Sequence, residues 1–238
     1  MLPTIAPEKP SPRLLRLLSI LVTLAVPVLL VLISVRLVMT ETYLWLEYNK
    51  PDFPPDPYGL TLVDRLHYAP YAVQYLTGSA GIDYLRDLTD PDGRRLFNER
   101  ELGHMLDVKT VTRVAFAVLG VTIILFTLLS VALSASPEGR RALRQGLFNG
   151  GLIMLAILAS LLLALSLNWD AVFTQFHELF FASGSWVFEY SDALIRLFPV
   201  RFWQDAALTV GGLSGTGAIL MMAGVWWWER RSVPGSGL

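Results

Sequence analysis

Four long apolar stretches divide the chain, and most polar residues lie in the segments between them. The stretches cover residues 14–35, 114–134, 152–167 (extendable to 148–168) and 206–228. A helix needs about 20 residues to cross the roughly 30 Å of hydrocarbon in a bilayer. Backbone groups in lipid have no water to bond, so stretches of this length are helices rather than strands. The pattern therefore predicts an all-α membrane protein with four transmembrane helices.

The cationic residues of the short loops predict how these helices are oriented. Arginines and lysines cluster before the first span, between the second and third, and after the fourth. Because such residues are enriched in cytoplasmic loops, both termini are expected in the cytoplasm, and the two large polar segments are expected outside as a helical extracellular cap. The predicted boundaries are a cytoplasmic tail 1–13, span 14–38, cap segment 39–111, span 112–134, cytoplasmic loop 135–147, span 148–168, cap segment 169–205, span 206–228 and cytoplasmic tail 229–238.

The composition excludes several classes of chemistry. Hydrophobic residues make up 53% of the chain and charged residues 16%, against about 25% charged in a typical soluble domain. The net charge of −1 gives no field that would favour nucleic acid. With no cysteine, the chain has no disulfide, thiolate metal site, iron–sulfur cluster or cysteine nucleophile.

The first cap segment contains several helix and turn signals. Prolines and aromatic residues over 41–60 predict a rigid, extended entry strand or coil. Thr61 and Asp64 predict a capped helix start, and Asp90-Pro-Asp-Gly93 predicts a turn. Further predicted elements are a helix carrying His67 that stops near Pro70, and short helices over about 71–76 and 82–88.

A second helix start in this segment leads directly into the second span. Asn98 is expected to cap a helix whose third position is Glu101. His104 lies four residues after Arg100, three after Glu101 and three before Asp107, so these side chains would share one face. Two flanking carboxylates would fix the tautomer of His104 and raise its pKa. The same spacing is also typical of a solvated, charged helix face at the membrane surface.

The second cap segment is rich in aromatic residues. Within it Phe173, His177 and Phe181 are four residues apart and form one helical stripe. Burial among aromatic rings would lower the pKa of His177 and leave a neutral imidazole at working pH. Alternatively, this is an interfacial helix with His177 as its polar tip. Beyond it, Gly184-Ser185 predicts a turn, and Ser191 is expected to cap a helix over 192–198 that Pro199 ends.

Other familiar motifs are missing or have a structural interpretation. The sequence contains no Walker loop, dinucleotide fingerprint, Gly-x-Ser-x-Gly elbow or His-Glu-x-x-His motif. The spacing of the three histidines matches no metal motif, so no metal or other cofactor is predicted. Small residues in the fourth span would permit close helix packing. They are Gly211, Gly212, Gly215 and Gly217.

Three stretches carry a resemblance to a known family. They are Pro55-Asp-Pro-Tyr-Gly-Leu-Thr61 with Asp64-Arg65, Asn98-Glu-Arg-Glu-Leu-Gly-His-Met-Leu-Asp-Val-Lys109, and Phe176-His-Glu-Leu-Phe-Phe181 with its continuation to Trp203. With these motifs and its order of spans, the chain resembles the bacterial family of four-span membrane proteins that includes lipoprotein intramolecular transacylase. The resemblance covers most of the chain, including both large polar segments.

The resemblance implies a location, a substrate and a pair of catalytic residues. The protein would lie in the bacterial inner membrane and act on diacylglyceryl lipoproteins, moving the sn-2 acyl chain to the amine of the N-terminal cysteine. Matching the motifs residue by residue assigns catalysis to His104 and His177 and gives His67 no role. One imidazole would act as base, and a second, protonated imidazole would stabilise the oxyanion and donate a proton. The sequence does not decide which is which.

Further residues are expected to hold the substrate. An aromatic chamber would bind the acyl chain and exclude water, and an arginine could anchor the ester or take part in a plain salt bridge. The residues predicted to bind substrate are Arg100, Trp186, Arg196, Phe173 and Phe181. The alternative function is a non-catalytic membrane protein whose aromatic cap binds lipid or a partner protein. Convergence of His104 and His177 would distinguish the two functions.

Overall fold

A computed structural model describes residues 11–232, and these residues are almost entirely helical. In the described range there is no β-strand, and the one bridge pairs Thr89 with Arg95. The predicted tail residues 1–10 and 233–238 lie outside the described residues. The helices are α1 (Pro12–Val38), α2 (Glu41–Tyr48), α3 (Leu62–Thr77), α4 (Asp83–Arg86), α5 (Glu99–Ser134), α6 (Pro137–Leu167), α7 (Trp169–Phe180), α8 (Ala193–Leu197) and α9 (Val200–Ser232).

The four predicted spans each lie within one long helix, and the prediction of four transmembrane helices is confirmed. Helices α1, α5, α6 and α9 are long and apolar enough to cross a membrane. Three of them extend well beyond their apolar stretches into polar sequence. Helix α6 begins at Pro137 because the Ser136 hydroxyl accepts the Gly139 N–H and proline suits the first helical position. Much of the predicted loop 135–147 is therefore helical.

One packed unit comprises residues 11–30, 120–158 and 214–232 of the described chain. Its helices approach closely at small residues. A Cβ added at Gly150 would lie 2.6 Å from Cβ of Val26, and one added at Gly217 would lie 2.8 Å from Leu30 Cδ2. The close packing predicted at Gly217 is thus present, with the Leu30 side chain lying where a Cβ would stand. Gly212, by contrast, has no atom within 4 Å of an added Cβ, and the prediction was wrong there.

The second packed unit comprises residues 31–119 and 159–213 and contains all the predicted site residues. Its core is formed by apolar residues of α2, α3 and α8 together with the ends of α5 and α9 nearest to them. The nearly buried Arg65 on α3 donates to the Pro54 carbonyl at 2.7 Å and to the Arg196 carbonyl at 3.2 Å. These two hydrogen bonds tie the proline-rich loop and α8 to α3.

Several local predictions are confirmed. Thr61 and Asp64 form a reciprocal capping box, and Asn98 and Glu101 form another, which starts α5. Helix α5 then continues without a break into the second span, as expected. At the Asp90–Gly93 turn, glycine has a φ of +77°, which this residue adopts without a Cβ clash.

Three local predictions were wrong. Residues 41–48 form helix α2 rather than extended chain, because the Thr40 hydroxyl caps the helix and Tyr43, Leu44 and Tyr48 bury one face. Pro70 does not stop α3, which continues to Thr77. The burial of α3 residues before and after the proline offsets the lost backbone hydrogen bond.

The third error concerns the start of α8. Asp192, not Ser191, is its N-cap residue, and the Asp192 side chain makes no capping hydrogen bond to α8. Its Oδ2 accepts the backbone N–H of Glu189 instead. A side chain from α5, described below, supplies an acceptor to the first turn of α8.

Candidate functional site

The candidate site begins at the N-terminal end of α5, which a buried carboxylate joins to α8. Glu101 is 1% exposed. Its Oε2 accepts the Asn98 N–H at 2.8 Å, and its Oε1 accepts the Leu194 N–H at 2.7 Å. Charge-assisted hydrogen bonds of this kind are stronger than neutral ones. Glu101 thus fixes the first turn of α5, one turn before His104.

A second contact between α5 and the chain preceding α8 involves Asp192. Its two carboxylate oxygens accept from Asn98 Nδ2 at 2.9 Å and from Arg100 at 2.7 Å. The two segments are more than 90 residues apart in sequence, so no local pattern predicts the contact. Asp192 is a positioning residue that the sequence interpretation missed.

The two predicted catalytic histidines lie side by side. The ring centroids of His104 on α5 and His177 on α7 are 6.3 Å apart, with an angle of 24° between the ring planes. Helix α7 is started by Asn168, whose side chain accepts the Ala171 N–H. The predicted convergence of the imidazoles is confirmed.

Aromatic rings surround this pair, and we call the four that contact an imidazole most closely the aromatic cluster: Phe173, Phe181, Trp186 and Phe188. Phe173 and Trp186 lie against His177 at centroid distances of 4.1 and 4.8 Å. Phe181 and Phe188 lie against His104 at 4.9 and 5.3 Å. Phe188 was not among the predicted site residues, although its place two residues after Trp186 in the aromatic segment was a usable signal.

Burial lowers the pKa of both imidazoles. The pKa of His104 falls to about 4, mainly through desolvation and further through the nearby His177, while Asp107 opposes the shift. Desolvation also lowers the pKa of His177. Along α5, His104 lies before the uncharged part that forms the span, which starts after Arg113. The raised pKa predicted for His104 was wrong, because Glu101 is bonded to backbone N–H groups and burial outweighs Asp107.

The hydrogen-bond partner of His177 determines its tautomer. Its Nδ1 lies 2.8 Å from the carbonyl oxygen of Phe173. A carbonyl only accepts, so Nδ1 carries the hydrogen, and Nε2 of the neutral ring keeps its lone pair. Helix α7 therefore presents His177 as a base.

The two arginines predicted to bind substrate are both in ion pairs. Arg100 pairs with Asp192, and its guanidinium lies 5.6 Å from the ring centre of Phe188, at the edge of the aromatic cluster. Arg196 pairs with the nearly buried Asp56 at 3.1 Å and donates to the Tyr58 carbonyl. Substrate binding by either arginine stays a prediction.

The remaining titratable groups do not extend the site. The exposed His67 packs against Tyr68 and Tyr71 of its own helix. Within residues 11–232, no group of three or more His, Asp or Glu side chains could hold a metal ion. The two imidazoles are the titratable groups that the aromatic cluster surrounds.

The thermal stability of the protein is expected to fall as the pH drops from about 6.5 towards 4. With its pKa lowered to about 4 in the folded chain, His104 binds fewer protons than in the unfolded chain over this window. Acid therefore favours unfolding, and the contribution of His104 is fully present only above about pH 6.5. His104→Asn should remove this part of the pH dependence.

Unfolding temperatures in detergent at about pH 7.5 and 5 would measure the effect. The difference between His104→Asn and wild type should move in favour of the variant as the pH falls. The exposed His67→Asn serves as the control. A difference that is the same at both pH values would show that His104 is not desolvated as described.

Comparison with known proteins identifies what this chain is similar to. The family model described as lipoprotein intramolecular transacylase Lit matches residues 20–203. An uncharacterized protein of Aquifex aeolicus (strain VF5) is 30% identical over 207 residues, covering 87% of this chain and 92% of the relative.

Solved structures share the fold. Crystals of lipoprotein intramolecular transacylase Lit from Bacillus cereus gave a structure that superimposes with a TM-score of 0.75 at 20% identity, covering 93% of this chain and 100% of that one. A histidine-to-arginine variant of the same protein gives a TM-score of 0.71 at 20% identity, covering 92% and 93% of the two chains. At this identity the likeness concerns the fold alone.

Proposed function

Because the chain belongs to the lipoprotein intramolecular transacylase Lit family, we propose that it moves the sn-2 acyl chain of a diacylglyceryl lipoprotein to the amine of that lipoprotein's N-terminal cysteine. The observation that carries the proposal is the pairing of His104 and His177 inside the aromatic cluster. Two half-buried, neutral imidazoles suit a proton transfer from an amine to an alcohol oxygen.

His177 is the base of this proposal. The N-terminal amine has an ordinary pKa of about 8, so near neutral pH it needs to lose only one weakly held proton before its nitrogen can attack. Its nitrogen attacks the ester carbonyl carbon, the new C–N bond forms, and the carbonyl electron pair moves to oxygen. The amine proton passes to Nε2 of His177, whose lone pair is free because Nδ1 donates to the Phe173 carbonyl.

His104 completes the proton transfer. When the oxyanion collapses, the bond from the carbonyl carbon to the sn-2 oxygen breaks, and that oxygen takes up one proton. A neutral imidazole donates one N–H while its other nitrogen accepts. His104 can therefore donate its N–H hydrogen to the leaving sn-2 oxygen and accept in return the proton that the amine gave to His177. The protonated imidazole expected from the sequence is not the resting form, because burial favours the neutral ring. Amide and alcohol form without any co-reactant.

The aromatic cluster supplies position and exclusion of water. Amine and ester belong to one molecule, so the main task is to hold them in contact, and well-oriented intramolecular reactions gain about 7–11 kcal/mol in this way. In the proposal, Phe173, Phe181 and Trp186 contact the acyl chain and the glyceryl ester. Arg100, at the edge of the cluster, faces the substrate's polar part.

The membrane setting follows from the same proposal. The protein would lie in the bacterial inner membrane, with both termini in the cytoplasm and residues 39–111 and 169–205 outside. The cationic segments flanking the spans support this orientation. It gives the two histidines access to lipoproteins from the outer leaflet.

Expression in a bacterial host without its own lipoprotein N-acylation would test the proposal. Tandem mass spectrometry of lipoprotein N-terminal peptides should find an amide-linked acyl chain and a free glyceryl hydroxyl only where the gene is expressed. The total mass should not change, because the acyl chain moves within one molecule. A lost acyl chain would indicate hydrolysis, and unchanged acyl positions would favour a non-catalytic lipid- or partner-binding protein.

A further inference from the structure

Two buried polar atoms of the site have no hydrogen-bond partner in the described chain. They are Nε1 of Trp186 and Nδ1 of His104. An indole N–H is a donor only. A buried donor without an acceptor is unfavourable, and such groups are rare in folded proteins. The described residues therefore supply no acceptor for the Trp186 indole N–H, and we expect a bound molecule to supply one.

The chain around Trp186 fixes this indole in place. Gly184 has a φ of +80°, and the Ser185 N–H and hydroxyl both donate to the Ala182 carbonyl. These contacts form a turn immediately before Trp186. The indole then packs on His177 at a centroid distance of 4.8 Å and against Phe173 at 6.4 Å. A donor held beside the proposed base is pre-organised for whatever the base acts on.

We propose that the Trp186 indole N–H donates a hydrogen bond to the carbonyl oxygen of the sn-2 ester and to the oxyanion that forms from it. This inference rests on the proposed function and adds a donor to it. The amine attacks the carbonyl carbon, and the electron pair displaced onto oxygen is stabilised by the indole N–H. The indole hydrogen is not transferred, so the proton balance between His177, His104 and the sn-2 oxygen is unchanged.

The orphaned Nδ1 of His104 supports the same arrangement. It is buried and lacks a partner among the described residues, while the His104 ring lies beside that of His177. The site thus contains one free lone pair on His177 and two unsatisfied nitrogens on neighbouring rings. An ester placed among them would provide the acceptor that the indole lacks.

Two variants at position 186 separate hydrogen bonding from packing. Trp186→Phe removes the N–H and part of the ring. Replacement of Trp186 by benzothienylalanine exchanges the N–H for sulfur in a ring of nearly the same shape. Both should lower kcat by about 10²- to 10³-fold, the usual effect of removing one oxyanion donor. The benzothienylalanine variant should leave KM almost unchanged, because its ring still contacts the substrate and the missing donor acts mainly in the transition state. Trp186→Phe should also raise KM, because it loses part of that contact.

Trp203→Phe is the control, since this tryptophan is partly exposed and lies outside the aromatic cluster. Its kcat should equal that of wild type, and unfolding temperatures of all variants are measured in parallel. If the benzothienylalanine variant retains full activity while Trp186→Phe loses it, the indole acts by packing. That result overturns this inference and leaves the proposed function standing. If the wild type moves no acyl chain, the inference falls together with the proposed function.

Discussion

Replacing His177 by asparagine should lower the rate of acyl transfer by about 10²- to 10⁴-fold, the usual contribution of a general acid or base. This corresponds to roughly 3–5 kcal/mol of transition-state stabilisation. Asparagine is polar and similar in reach, but it has no lone pair that takes up a proton near neutral pH. Since His177 is only half-buried, the variant should fold. Single-turnover rates with a synthetic diacylglyceryl lipopeptide would measure the loss.

Two further histidine variants make this result specific. His104→Asn should cause a loss of similar size, and the double variant should be little worse than either single one, because residues that act as a unit are not additive. His67→Asn should be as active as wild type, since His67 is exposed on α3. Full activity of a folded His177→Asn protein would exclude the proposed base.

Loss of the Glu101 carboxylate should destabilise the site more than any other single change in this region. Glu101→Ala leaves the N–H groups of Asn98 and Leu194 without their acceptor. The buried Leu194 donor left unsatisfied costs roughly 1–3 kcal/mol, and the lost hydrogen bond at the exposed Asn98 adds about 0.5–1.5 kcal/mol. The free energy of unfolding should therefore fall by about 2–4 kcal/mol. Glu101→Gln should also be destabilising, because its amide nitrogen cannot accept the second hydrogen bond.

Hydrogen exchange at the Leu194 amide reads this contact directly. The amide should be protected in wild type and exchange much faster in Glu101→Ala. The neighbouring Glu99 offers a matched control, because its side chain is 71% exposed and pairs with Arg86 and Arg95 rather than with backbone N–H groups of α8. Glu99→Gln should leave both exchange and unfolding temperature close to wild type. Unchanged protection of Leu194 in Glu101→Ala would contradict the described hydrogen bond.

The spans and the helix starts could be predicted because their causes are local. A membrane span depends on the length of an apolar run, and the capping boxes of Thr61 and Asn98 depend on residues three apart. Helix α2 was missed for a tertiary reason. Its eight residues fold as a helix because they bury Tyr43, Leu44 and Tyr48 in the core of their unit. Single-sequence propensity does not contain that burial.

The features of the site likewise divide into those that local sequence predicts and those that depend on tertiary contacts. The helical stripe of Phe173, His177 and Phe181 follows from spacing, and the lowered pKa of His177 from its aromatic surroundings. The sign of the shift at His104 could not be predicted, because it depends on where Glu101 points. Glu101 bonds to α8, more than 90 residues later in the chain, so its charge does not raise the pKa of the imidazole.

A label-crossover experiment tests most directly whether the paired imidazoles move an acyl chain within one molecule. Two lipopeptides of different sequence, one with a deuterated sn-2 chain, are mixed with the purified protein, and the N-terminal amides are assigned by fragmentation. Wild type should give each peptide its own chain as an amide, and His104→Asn and His177→Asn should give almost none. Exchange of label between the peptides, or undiminished transfer by both folded variants, would contradict the account.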